Sequence, residues 1–155
     1  EGVATPGHTV GHVAFVADTD RGVFALTGDL YLAAQPVSEW WESAADDRIR
    51  SCRALARHGD RLTFLPTHGK VRPDGAARLE ALAVYFEETS RAVREAAREL
   101  DTRDCWRIAE RCLGGDDGMG RFSDGEFSPA CLVRSVLDPV RALPPARLPA
   151  EPQPS

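Results

Sequence analysis

Three short stretches carry the residues that can do chemistry. TPGHTVGH (residues 5–12) sets His8 and His12 four apart, TGDLY (27–31) sets Asp29 after Gly28, and PTHGK (66–70) sets His68 before Gly69. His8, Asp29 and His68 each adjoin a glycine in a loop beside an apolar run of strand length. Loops at the ends of a rigid sheet are where separate side chains converge on one point. Two imidazoles and a carboxylate are a suitable donor set for zinc, iron or manganese. Taken singly, a loop histidine is usually a hydrogen-bonding surface residue and a Gly-Asp pair usually a turn, so the joint pattern carries the inference.

Other polar residues near these stretches have blander readings. His12 would share a helical face with His8, but Pro6 and Gly7 argue against a helix, so His12 is read as a hydrogen-bonding residue behind the ligands. Tyr31 either points its hydroxyl at a substrate carbonyl or packs, with packing preferred; Lys70 is read as solvated. His58, where a helical pattern ends, is read as a favourable end charge. Trp40 is a candidate for a pocket wall or interface, and Trp41 is expected on a buried stripe.

The elements that would position these residues follow from hydrophobic period. HVAFVA (12–17) and GVFALT (22–27), separated by DTDRG, read as a β-hairpin. From Ser38 a helical period sets in through Trp41, Ala45, Ile49, Cys52 and Leu55, with Arg and Asp on the opposite face. LTFLP (62–66) is a further strand. A long amphipathic helix carries Leu79, Leu82, Phe86, Val93, Ala97 and Leu100; a second, with Thr102 as candidate cap, carries Trp106, Ile108, Ala109 and Leu113. GGDDGMGRFSDGE reads as a loop, and Ser128-Pro129 as the cap and first turn of a last helix reaching Leu137. The order is ββαβ followed by helices. This is an α/β (α+β) body over 1–72, a helical region over 73–138, and a Pro-rich tail over 139–155 expected to be disordered.

The order and spacing of TPGHT, a hairpin, TGD, a helix and a strand ending in PTHG resemble the C-terminal half of the metallo-β-lactamase fold hydrolases, over residues 4–70. The resemblance implies half of an αββα sandwich with a helical C-terminal appendage. It also implies a two-metal centre, zinc before iron or manganese, in which His8 binds one metal, His68 the other, and Asp29 bridges them. Thr67 stands where the family's commoner PGHG motif has glycine. The family's HxHxDH run, which lies upstream of TPGHT and supplies the remaining ligands, does not occur in this chain. The resemblance therefore implies a metal-dependent hydrolase of an ester, thioester or lactone-like small molecule, represented here by half a site. By itself this chain is expected to be inactive, and no side chain is assigned a catalytic role of its own. Two alternatives stand beside that reading: a truncated, non-catalytic protein of the same fold, and an interaction module whose helices bind a partner or a second copy.

Composition bounds the rest. The 155 residues suit one domain, with 43% hydrophobic and 28% charged residues and a formal charge of −5, which argues against nucleic acid as a partner. No apolar stretch approaches a membrane span, and no signal segment is evident. Cys52, Cys105, Cys112 and Cys131 are scattered without a CxxC pair and read as small buried residues in a reducing, cytoplasmic setting. The start at Glu1-Gly2, two residues before the motif, is read as that of a fragment or processed product. Arg91, Arg94, Arg98, Arg103, Arg107 and Arg111 among acidic partners suggest an exposed, salt-bridged helical face that leaves room for a homodimer.

Overall fold

A computed structural model describes residues 1–115 and 118–140. Its larger sheet has four strands in the order β1 (Gly2–Ala4), β2 (Val13–Thr19), β3 (Gly22–Gly28) and β5 (Leu62–Pro66). The hairpin is present: β2 and β3 pair antiparallel with Phe15 opposite Leu26. β5 then lies parallel to β3, with Ala25 opposite Phe64. This topology decides where the motifs go. Parallel β3 and β5 end at the same edge of the sheet, and antiparallel β2 begins there. The loops carrying Asp29, His68 and His8 therefore meet at that edge.

Alternation along the strands assigns the two faces. Ala14, Val16, Val23, Ala25, Leu62 and Phe64 are buried beneath α1 (Ala45–Ala56) and α2 (Gly75–Glu99). Leu79, Leu82, Phe86 and Val93 of α2 join Cys52 and Leu55 of α1 in the same apolar cluster. That cluster continues into α3 (Cys105–Leu113) through Ile108 and Ala109, and into α5 (Pro129–Leu137) through Leu132 and Val133. On the other face Val13, Phe15, Phe24 and Leu26 are exposed, Phe15 by 60% and Leu26 by 55%. Adjacent exposed aromatics and aliphatics on a flat strand face are unusual for a finished surface.

Several boundaries differ from the sequence reading. The helical period detected from Ser38 begins as a helix only at Ala45, because Glu39–Trp40 forms β4, a two-residue strand paired with β6 (Phe127–Ser128). Trp41 is consequently exposed and not on the buried stripe. Arg48, expected on the solvent face, is buried. The cap of α3 is Asp104, whose carboxylate accepts from the N–H groups of Trp106 and Arg107; Thr102 instead accepts from the Asp104 N–H. Within the Gly/Asp-rich loop, Met119–Phe122 form a short helix, α4. Ser128 caps α5 by accepting from the Cys131 N–H, with Pro129 in the first turn.

All four cysteines are free; Cys52 and Cys131 are buried, and Cys105 and Cys112 are partly so. The salt-bridged arginine face is present in part, through Arg111–Glu99 at 2.9 Å and Arg94–Asp46 at 3.9 Å. Among the described residues no helix is long and apolar enough to cross a membrane. The expected disordered tail lies, from residue 141 on, outside the described residues.

Candidate functional site

The edge where the three loops meet opens into a cavity of about 680 Å³. Its polar side is formed by His8, Thr9, Asp29 and His68, and its apolar side by Leu32, Trp40, Met119 and Phe127. Asp29 stands between the two histidines. Its Oδ2 lies 3.8 Å from His8 Nε2, and its Oδ1 lies 3.9 Å from His68 Nε2. Each carboxylate oxygen thus faces a different imidazole. Oδ1 is buried and accepts no hydrogen bond.

The loop that carries His8 is bound to α1 and the two residues before it through three successive carbonyls. Pro6 accepts from the Ser51 hydroxyl at 2.7 Å, Gly7 from the Ala44 N–H at 2.9 Å, and His8 from the Ser43 hydroxyl at 2.9 Å. The approach is so close that a Cβ at Gly7 (φ +133°) would stand 2.4 Å from the Arg48 backbone. Any side chain there would force the loop off the helix.

His12 joins the His8 loop to the Asp29 loop. Its Nε2 accepts from the Asp29 N–H at 3.2 Å, and its Nδ1 lies 2.8 Å from the Thr5 hydroxyl. With Nε2 accepting, the ring carries its proton on Nδ1, and both nitrogens are occupied. Burial, reinforced by His8 and Arg48, holds this imidazole below its ordinary pKa, in keeping with the neutral form. A Cβ at Gly28 would stand 2.7 Å from His12 Nε2, so the glycine before Asp29 gives the imidazole its place.

Beneath the polar side lies a buried ion pair that sequence reasoning missed. Glu39 is 0% exposed and Arg48 1%, with Nη1 donating to Glu39 Oε2 at 3.2 Å. Arg48 Nη2 donates to the Asp29 carbonyl at 2.9 Å, and its guanidinium lies 5.4 Å from the Phe86 ring centroid. The Ser43 hydroxyl, 2.8 Å from Glu39 Oε2, has the His8 carbonyl as its other acceptor, so its single proton serves one at a time. Burial alone would raise the Glu39 carboxyl; the Arg48 guanidinium, with His8 and Ser43, holds it below its ordinary value. His8 Nδ1 lies 3.5 Å from Glu39 Oε2, too far for a good hydrogen bond. The only sequence signal for this pair is Arg48 beside Ile49 and one turn before Cys52, on the edge of the apolar stripe.

The remaining candidates lie elsewhere. Tyr31 is buried, its ring 4.9 Å from that of Phe64, and it does not line the cavity. Lys70 and His58 are exposed and outside the cavity lining, whereas Trp40 is part of it. Met119 and Phe127 were not anticipated. They come from the far end of the chain, brought over the cavity by the pairing of Trp40 with Phe127.

Whether these donors suit a metal rests on chemistry and spacing. Two ligands of one tetrahedral zinc, at bond lengths near 2.0–2.1 Å, stand about 3.3 Å apart. The two Asp29–histidine separations are wider than that, and among the described residues no three His, Cys, Asp or Glu side chains are drawn closely enough together to hold an ion. The donor types and the unpartnered Asp29 Oδ1 fit one histidine and one carboxylate oxygen per metal. A catalytic zinc takes about three protein ligands, more than this histidine–carboxylate set supplies for either histidine. No family model, curated protein or solved structure matches this chain.

Proposed function

We propose that this chain is the C-terminal half of a metallo-β-lactamase-type αββα sandwich, and that the complete protein is a metal-dependent hydrolase. The observation that carries the proposal is Asp29, with one carboxylate oxygen toward His8 and the other toward His68 across a single cavity. In this reading His8 and His68 each hold one metal and Asp29 contacts both. Zinc is the first choice, and iron or manganese suit the same donors. When bound, the metals would activate water and polarise a substrate carbonyl.

This chain's own residues set the geometry. Arg48 fixes the Asp29 backbone from below, His12 fixes it from the side, and Ser43, Ala44 and Ser51 hold the His8 loop. Leu32, Trp40, Met119 and Phe127 offer an apolar wall beside the metal donors. That wall suits the acyl or ring portion of an ester, thioester or lactone.

The bare apolar face of the larger sheet supports the sandwich independently. Val13, Phe15, Phe24 and Leu26 are what a second sheet would cover, and an upstream segment bearing that sheet is where the missing ligands belong. The four free thiols fit a reducing, cytoplasmic setting. The test is metal content and hydrolysis of a thioester, ester and lactone panel, measured on this chain and on the in-frame product extended upstream. Two tightly held metals and hydrolysis are expected in the extended protein; this chain alone should bind zinc only weakly, through its half of the ligands, and should not hydrolyse the panel. An extended protein without metal would favour the non-catalytic alternative.

A further inference from the structure

The Glu39 carboxylate has a place in the site that the metal reading does not assign. It is fully buried and approaches the other nitrogen of the His8 ring: Nε2 lies 3.8 Å from Asp29 Oδ2, while Nδ1 lies 3.5 Å from Glu39 Oε2. Two buried polar atoms on these neighbours lack a hydrogen-bond partner, His8 Nδ1 and Glu39 Oε1. Nδ1 is a donor in one neutral tautomer, and Oε1 is always an acceptor in the ionised carboxylate. Arg48 anchors the Glu39 carboxylate at Oε2, with Ser43 sharing its proton between that oxygen and the His8 carbonyl, which leaves the charge in place and Oε1 unused.

We propose that Glu39 is a positioning residue for His8: the carboxylate, 3.5 Å from Nδ1, favours the tautomer with the proton on Nδ1 and that N–H turned toward it, so that Nε2 carries the free lone pair toward Asp29. This inference rests on the metal-site reading for its purpose, but its core statement concerns the metal-free protein. A carboxylate behind an imidazole fixes the ring's tautomer and orientation and raises its basicity as a ligand. The pairing also gives the buried Glu39–Arg48 ion pair, whose desolvation costs can outweigh its attraction, a role beyond packing. β4 supplies Glu39 and Trp40 in succession, so one strand both orients the ligand and lines the cavity.

Long-range 1H–15N spectra of the metal-free chain at about pH 8, above the ordinary imidazole range, read the tautomer directly. The expected result is an Nδ1–H tautomer for His8, with Nε2 unprotonated. Glu39→Gln keeps the shape, leaves one acceptor for Arg48 and Ser43, and turns an amide donor on Nδ1. It should shift His8 to the Nε2–H tautomer and weaken zinc binding by about 10–100-fold, while circular dichroism shows the fold retained. A wild-type His8 in the Nε2–H form overturns the proposal, even where E39Q does not fold. So does a folded E39Q with unchanged tautomer and zinc affinity. If wild type binds no zinc but its tautomer is as expected and E39Q reverses it, the positioning role stands and the metal reading fails.

Discussion

Arg48→Met offers a quantitative check on how the site is held. Methionine keeps much of the apolar stem but removes the guanidinium, which lies over the Phe86 ring, pairs with Glu39 and holds the Asp29 carbonyl. Glu39, at 0% exposure, is then a buried carboxylate with no counter-charge. Breaking a buried pair by removing one partner costs about 3–5 kcal/mol, which is a large share of a typical domain's stability. At roughly 2–4 °C per kcal/mol for a chain of this size, Tm should fall by on the order of 10 °C. The double variant Glu39→Gln/Arg48→Met removes both charges, so much of that loss should return, because volume-matched uncharged replacements of buried pairs are often close to neutral. Urea unfolding of the wild type, both single variants and the double variant closes the cycle. Single variants costing under about 1 kcal/mol, or a double variant as unstable as the sum of the singles, would refute the argument that the pair clamps the Asp29 loop.

Other consequences are simpler to measure. His12→Ala leaves the Asp29 N–H without its acceptor and should cost about 1–3 kcal/mol by denaturant unfolding; a neutral result would remove His12 from the link between the two loops. The two glycines of TPGHTVGH should behave differently. Gly7→Ala meets the Arg48 backbone at 2.4 Å and should lower stability by more than about 1 kcal/mol, whereas Gly11→Ala, with nothing within 4 Å, should stay within about 0.5 kcal/mol. Burial pushes the Cys52 thiol up to about 12, so thiol-reagent titration of the folded chain near neutral pH should leave Cys52 unmodified until denaturant is added. Phe15→Glu with Leu26→Lys should reduce binding of an apolar dye to this chain with little loss of Tm; in the upstream-extended protein the same pair should be strongly destabilising.

Much of the fold could be read from local pattern because its elements are long enough to show a period. Short apolar runs bounded by turn residues marked the hairpin and LTFLP, a three-four repeat marked the long helix (observed as Gly75–Glu99), and the Ser128-Pro129 cap marked the start of the last helix. What escaped was long-range or paired. Strands β4 and β6 have two residues each, too short for any period, and they exist because Glu39–Trp40 and Phe127–Ser128 find one another across the chain. Glu39 and Arg48 were unreadable as core residues because a charged side chain is ordinarily solvent-facing, and only its partner makes burial tolerable. Trp41 misled for the complementary reason: it kept the helical spacing but lies before the helix begins. For the site, glycine-flanked His8, Asp29 and His68 do border one cavity. Its apolar wall depended on where Met119 and Phe127 fold back, which no local motif specifies.

The central claim is that Asp29 stands between two ligand histidines. Zinc titration of the 155-residue chain, followed through its four histidine ring signals by NMR, tests it most directly. His8 and His68 should respond together, His58 and His12 should keep their free-protein signals, and Asp29→Ala should abolish the paired response. A response at His58 or His12 without His8, a His8–His68 response that survives Asp29→Ala, or no response at any zinc concentration the protein tolerates would contradict it.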